Sequence, residues 1–211
     1  MNWLAHLVLS RRDIAFQLGN VLADPLKGKP WPGASPLLAE GMSMHKAIDR
    51  FTDAHPTIIM SKSRLGVHGL LRGVAVDVIY DHFLAIRWDR YVRVSLDVFL
   101  ETFHVNAIQV AVTLPERARL FVERLVRSEM LSSYIEAQGV ALALQRVDGR
   151  LSQRLSARET TSEYFDVFLA EYNELLADFD QFFPELVTFF DAHTLGGCDD
   201  SYLRQEVLRA Q

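Results

Sequence analysis

Cysteine is almost missing from the sequence: Cys198 stands alone among 211 residues. No internal disulfide can form, and the composition suits a reducing compartment. Long apolar runs are missing too. No segment stays apolar for the roughly 18 residues that a membrane-spanning helix needs, so no membrane segment is expected. The opening MNWLAHLVLSRRD has an apolar run, but no basic residue precedes it and His6 interrupts it. It does not read as a secretory signal, and the expected compartment is the cytoplasm. No region alternates polar and apolar residues between Asn-Gly or Asp-Gly turns, which argues against a mainly β fold. The sequence also lacks a Gly-rich phosphate loop and a nucleophile elbow, so P-loop and serine chemistry have little support. Repeats and low-complexity tracts are absent.

What is present is ordinary for a globular chain: 49% hydrophobic and 23% charged residues. The length suits a single domain, 1–211, with a substantial core. The net charge of −5 is unevenly spread. Residues 1–72 carry nine Lys/Arg against five Asp/Glu, and the remainder 13 against 22. A basic N-terminal third can steer an acidic partner or a phosphate-bearing substrate. It is too mild, and too poor in interleaved aromatics, for nucleic acid.

The pattern is helical almost throughout. Helices are expected over 2–10 and 14–24, the second capped by Asp13. A Pro/Gly-rich loop, 25–36, follows. Ser35-Pro36 is a cap and first-turn proline that open a helix to about Ala54. Pro56 opens a short helix to about Leu65, and Gly66 and Gly69 precede a long one, 70–88. Further helices are expected over 96–112 and 115–138, then after Gly139, over 160–180, and over 184–193 with Pro184 at its start. The aromatic-rich terminal helices read as packing onto the core. The packed part is expected to end at Gly196-Gly197, leaving a tail, 194–211, with a short helix from Ser201.

Polar pairs four apart recur on four of these helices: Asn2/His6, Asn20/Asp24, His45/Asp49 and Asp77/Asp81. Residues four apart share a helix face. Asp53 and His55 extend the third set within MHKAIDRFTDAHP, and His82 lies about 140° around the helix from Asp77. A single such residue usually reads as a satisfied core group or a solvated face. Acids inside apolar segments such as VAVDVIYDHF are different, because burying a carboxylate is costly unless a cation or strong hydrogen bonds meet it. A divalent metal would also relieve the repulsion between Asp77 and Asp81. With carboxylates outnumbering imidazoles and no thiol at hand, Mn²⁺ or Mg²⁺ is favoured, with Fe²⁺ admissible, over structural Zn²⁺. Open positions on such an ion suit phosphoester hydrolysis, with Lys46, Arg50 or Lys62 clamping the phosphate.

MNWLAHLVLS, GNVLAD, GMSMHKAIDRFTDAHP and VDVIYDHFLAIRW, in that order over about the first 90 residues, resemble the acyl carrier protein phosphodiesterase family. The resemblance implies an all-α, HD-domain-like bundle. It also implies Mn²⁺-favouring hydrolysis of the phosphodiester between 4′-phosphopantetheine and a serine of holo-acyl carrier protein, an acidic partner. The motif positions carry over as His6, Asp24, His45, Asp49, Asp77, Asp81 and His82. Lys46 stands where arginine is expected, keeping the charge and losing bidentate contact. The resulting expectation is a metal site walled by the helices of residues 1–90 and supported by those of 96–193. Asp24, Asp77, Asp81, His45 and His6 are its ligands. Asp49 orients the attacking water or acts as its base, and His82 or a basic residue such as Lys46 or Arg50 meets the leaving oxygen. Two rivals make different predictions. A phosphohydrolase for a nucleotide or another small phosphoester ignores the carrier protein. A non-enzymatic helical module for an acidic partner is indifferent to chelators.

Overall fold

The computed structural model describes residues 2–206, and these are helical with one isolated antiparallel bridge, Val92 to Leu203. The helices are α1 (Trp3–Val8), α2 (Ile14–Leu22), α3 (Pro36–Ala54), α4 (Pro56–Arg64) and α5 (Arg72–Ile86). They are followed by α6 (Trp88–Tyr91), α7 (Leu96–Ala111), α8 (Glu116–Arg127) and α9 (Met130–Ser133). The last four are α10 (Ala137–Asp148), α11 (Gln153–Ser156), α12 (Tyr164–Ala170) and α13 (Tyr172–Ala192). One cluster of buried apolar side chains runs from Leu4 to Leu203. Among the described residues no helix is long and apolar enough to cross a membrane.

The caps act where the sequence places them. Asp13 accepts from the backbone N–H groups of Ala15 and Phe16, and Ser35 from that of Leu38, with Pro36 at the first helical position. The short α1 is different. Asn2, at its N-cap, makes no capping bond. Its N–H groups are met from far along the chain: Asp81 on α5 accepts from Leu4 N at 2.9 Å and from Ala5 N at 3.1 Å. A six-residue helix cannot stand alone, and a buried carboxylate across its first turn satisfies donors that would otherwise be orphaned.

Helices α2 and α3 lie close enough that glycine is required at the contact. A Cβ on Gly19 would sit 2.1 Å from the Leu38 carbonyl oxygen, and one on Gly41 2.1 Å from that of Phe16. This approach carries Asp24, just past α2, up to the face of α3 that bears His45, while Asn20 on α2 reaches His6 of α1. On the far side, Asp178 of α13 accepts a bidentate pair from Arg64 of α4, at 2.8 and 3.1 Å, and a third bond from Ser61.

Several expectations need correction. Gly139 does not precede a helix but lies inside α10, where the absence of a Cβ lets the helix approach the Ser133 carbonyl oxygen, which a Cβ would meet at 1.9 Å. The 115–138 segment breaks at Glu129, which adopts a left-handed backbone with φ 48°. Pro184 does not open a helix, since α13 runs through it. Phe179, Phe182, Phe183 and Phe190 are fully buried along α13, and this packing outweighs the ~3 kcal/mol that an internal proline costs. Nor does the packed part end at Gly196-Gly197. Cys198, Ser201 and Leu203 are buried, and Arg93 donates to the carbonyls of Cys198 and Ser201. The helix expected from Ser201 is not formed over 201–205, and its remainder lies beyond residue 206, outside the described residues.

Candidate metal centre

His45 and Asp49 sit one turn apart on α3, and the close α2–α3 contact and the Asp81-held α1 bring partners to them. His45 Nε2 lies 3.0 Å from Asp49 Oδ2 and 3.1 Å from Asp24 Oδ1. His6, from α1, stacks on His45 with ring centroids 4.0 Å apart, and its Nε2 lies 3.2 Å from Asp49 Oδ1. One ligand atom each from His6, His45 and Asp49 falls within 4.8 Å of the others. Both imidazoles are buried, Asp49 is half-buried, and Asp24 opens to solvent with 74% of its side chain exposed.

Asn20 decides how His6 is protonated. Its amide nitrogen donates to the carbonyls of His6 and Leu9, at 2.8 and 3.0 Å, so its Oδ1 is an acceptor. That oxygen is 2.9 Å from His6 Nδ1, which therefore carries the hydrogen. His6 Nε2 is left with its lone pair directed into the cluster. It is buried and, although near Asp49, makes no aligned hydrogen bond. A fixed tautomer with a bare ring nitrogen facing a carboxylate and a second imidazole is the arrangement a metal-ligating histidine needs. The residues present fit a divalent ion.

The electrostatics agree. Burial and the neighbouring His45 lower the His6 pKa to about 4, despite Asp49. At neutral pH the ring is uncharged and able to ligate. Burial alone would lower His45 as well, but hydrogen bonds to Asp24 and Asp49 outweigh it and raise its pKa to about 9. Burial would raise Asp49, yet His45 and His6 hold it well below the usual carboxylate range. Asp24 is lowered chiefly by its bond to His45. Without an ion, one proton on His45 is the cation of the cluster.

The other residues that the sequence singles out lie outside this three-residue group. Asp81 is buried, serves the α1 N-terminus, and is raised to about 7 by burial despite those bonds. Asp77, half-buried one turn earlier on α5, stays outside the three-residue group, and burial pushes its carboxyl up. His82 lies 2.7 Å from the Tyr134 carbonyl through Nδ1 and 3.1 Å from the Tyr172 hydroxyl through Nε2. It packs edge-on to Phe168 and Tyr172, away from the face of α5 on which Asp81 meets α1. Lys46 is exposed and donates to the Gly28 carbonyl at 2.8 Å, fastening the loop after α2. Arg50 is exposed on α3. Asp53 pairs with Lys62, and His55 caps α4 and meets Glu185 at 3.1 Å. The residue that sequence reasoning left without a role is Asn20. The only signal was its position four before Asp24 in an apolar helix.

A cavity of about 740 Å³ begins at Asp24, between the ends of α1, α8, α9 and α10. Its walls combine Trp3, Phe121, Met130 and Tyr134 with Arg124, Arg146 and Arg150.

A family model described as acyl carrier protein phosphodiesterase matches residues 1–186. Relatives bearing the same name include one from Photorhabdus laumondii, 29% identical over 189 residues that cover 89% of this chain and 93% of the relative. One from Salmonella dublin is 31% identical over 194 residues, and one from Escherichia coli O6:H1 30% over 198, each covering 89% of this chain and 96% of the relative. No solved structure matches.

Proposed function

We propose a function from one premise: the chain belongs to the acyl carrier protein phosphodiesterase family. It hydrolyses the phosphodiester joining 4′-phosphopantetheine to a serine of holo-acyl carrier protein, releasing apo-protein and 4′-phosphopantetheine. The observation that carries the mechanism is the His6–His45–Asp49 cluster, with its ligand atoms within 4.8 Å of one another. His6 through Nε2, His45 through Nε2 and Asp49 would hold one divalent ion, with Asp24 at its solvent side. Imidazole with carboxylate favours Mn²⁺, with Mg²⁺ or Fe²⁺ as alternatives. When bound, the ion lowers the pKa of water and offsets charge on the phosphoryl oxygens.

The chain's own residues do the rest. Asn20 fixes the His6 tautomer, and Asp81 fixes α1, so the first ligand is positioned by two contacts remote in sequence. Asp24 is ionised, exposed and beside His45. We read it as the acceptor of the attacking water's proton. Arg50, exposed one turn past Lys46 on α3, is the cation available to the phosphate from that helix. His82 is committed through both ring nitrogens, and we assign it to holding α5 against α13 rather than to the leaving oxygen. We also read residues 1–211 as one domain, which the single core cluster of the described residues supports, and infer from the lone cysteine that it works in the cytoplasm.

The test is mass spectrometry of holo-acyl carrier protein incubated with the protein and Mn²⁺, beside a chelated control. Loss of the 4′-phosphopantetheine mass only when metal is present is the expected result. An unchanged carrier with every divalent ion would overturn the substrate, and turnover of small phosphodiesters in the same tubes would name the replacement class.

A further inference from the structure

None of His6, His45 and Asp49 lines the cavity beside the cluster. Asp24 touches both: its Oδ1 is 3.1 Å from His45 Nε2, and it forms part of the cavity wall. Whatever is cleaved next to His45 therefore has a recess of about 740 Å³ at hand on one side of the reacting atom. That size falls within the range of small-molecule sites.

Its lining is mixed in a definite way. Trp3 and Phe121 meet edge to face with centroids 5.3 Å apart, and Met130 and buried Tyr134 continue the apolar surface. Three arginines share these walls with a single acid, Asp24. Among the described residues none of the three forms an ion pair. Arg150 lies over the Trp3 ring at 5.5 Å, and Arg124 is exposed. Arg146 is the telling one: its Nη1 is buried and has no hydrogen-bond partner. A buried guanidinium N–H without an acceptor costs free energy until a ligand supplies one.

We propose that this cavity is the receptor for the pantetheine arm of the substrate, a reading that rests on the function proposed above. The arm is a linear chain of secondary amides with a hydroxyl and a geminal dimethyl group, attached to the phosphorus. With the phosphate at the cluster, the arm runs past Asp24. Its dimethyl group packs on Trp3 and Phe121, and an amide carbonyl accepts from Arg146. Arg124 and Arg150 leave the mouth positively charged toward an acidic carrier protein. The carrier is then recognised in two pieces: its surface outside, its prosthetic arm within. Binding energy gathered along the arm, remote from the phosphorus, is available to orient the ester at the metal.

The experiment is calorimetric titration of the metal-free protein with pantetheine, which lacks the phosphate and owes nothing to the metal. Wild type, Arg146→Gln, Gly149→Trp and His45→Gln are compared, with circular dichroism confirming each fold. Gly149 lines the cavity with an ordinary backbone, and a Cβ there meets nothing closer than 3.7 Å, so tryptophan fills space without strain. Saturable binding to wild type is expected, weakened about tenfold by Arg146→Gln and abolished by Gly149→Trp. His45→Gln binds pantetheine like wild type although it cannot hydrolyse the carrier. In steady state Arg146→Gln raises KM for holo-carrier. Equal pantetheine affinity in wild type and both cavity variants, or none in wild type, overturns the proposal. Failure of the substrate assignment shows separately, as an intact holo-carrier while pantetheine still binds.

Discussion

At the level of single residues, the cluster ties metal affinity to pH. His45 keeps its proton to about pH 9 in the absence of metal, while His6 is neutral above about 4. An incoming ion must displace one proton, so Mn²⁺ affinity should rise about tenfold per pH unit through neutrality. Calorimetry in buffers of differing ionisation enthalpy checks this, and a pH-independent affinity contradicts it. The same proton bears on stability. His45 binds it more tightly folded than unfolded, from 6.5 to about 9. Its stabilisation of the metal-free protein is complete below pH 6.5 and lost as pH rises through about 9. Asp81 works in the lower window: raised from 3.8 to about 7, it favours the fold less as pH climbs through that range. Asp81→Ala leaves two buried N–H groups of α1 without an acceptor. It should lower the unfolding free energy by ~1–3 kcal/mol in urea titrations, and loosen His6.

The sequence makes some of these residues readable and hides the work of others. The i, i+4 spacing of His45 and Asp49 is visible in MHKAIDRFTDAHP, and one helix suffices to place both. Asp81 looks like a ligand in VAVDVIYDHF because an acid in an apolar helix must be satisfied by something. Whether that is a cation or an N-terminus 77 residues away is a tertiary fact. His82 is ambiguous in the same way, since the Tyr134 carbonyl that meets it is 52 residues distant. Asn20 shows nothing in its own helix of its bond to His6 across the α1–α2 turn.

At the level of elements, the site depends on how closely two helices approach. Gly19 and Gly41 let α2 and α3 meet backbone to backbone, and through that contact Asp24 reaches His45, while Asn20 on the same α2 meets His6 of α1. Gly41→Val sets a branched side chain against the Phe16 carbonyl. The obstacle is backbone, so the cost should reach about 3 kcal/mol, the upper end for overpacking. Mn²⁺ binding should weaken in the surviving fold. Thermal unfolding and metal titration of this variant check both, and an unaltered metal affinity would mean that the helix spacing does not set the site. Most of the long helices were legible, because capping residues and 3.6-residue periodicity are local, but the helix expected from Ser201 is not formed over 201–205. The errors at Gly139 and Pro184 share a cause. Glycine and proline break helices by local preference, and here close packing against Ser133 and a row of buried phenylalanines overrides it.

At the level of the whole molecule, charge and cavity act together. The first 72 residues are basic and the rest acidic, and the cavity mouth adds Arg124 and Arg150. Encounter with an acidic carrier should be screened by salt. KM for holo-carrier should rise severalfold from low to high ionic strength, while turnover of a small neutral-bodied phosphodiester changes little. A KM insensitive to salt would rule out electrostatic steering. The cavity itself was not legible in the sequence, since its walls come from four helices spread between residues 2 and 150. Local periodicity marks Trp3, Phe121 and Arg146 as surface or core, and gives no sign that they share one space.

The proposed chemistry rests above all on His6, His45 and Asp49 together holding one divalent ion. Electron paramagnetic resonance of Mn²⁺ titrated into wild type, His6→Gln and Asp49→Asn reads this directly, because bound ion loses the free six-line signal. One tight site is expected in wild type, weakened at least about a hundredfold in each variant by loss of a ligand. A tight site that persists in both variants would place the metal elsewhere and overturn the assignment.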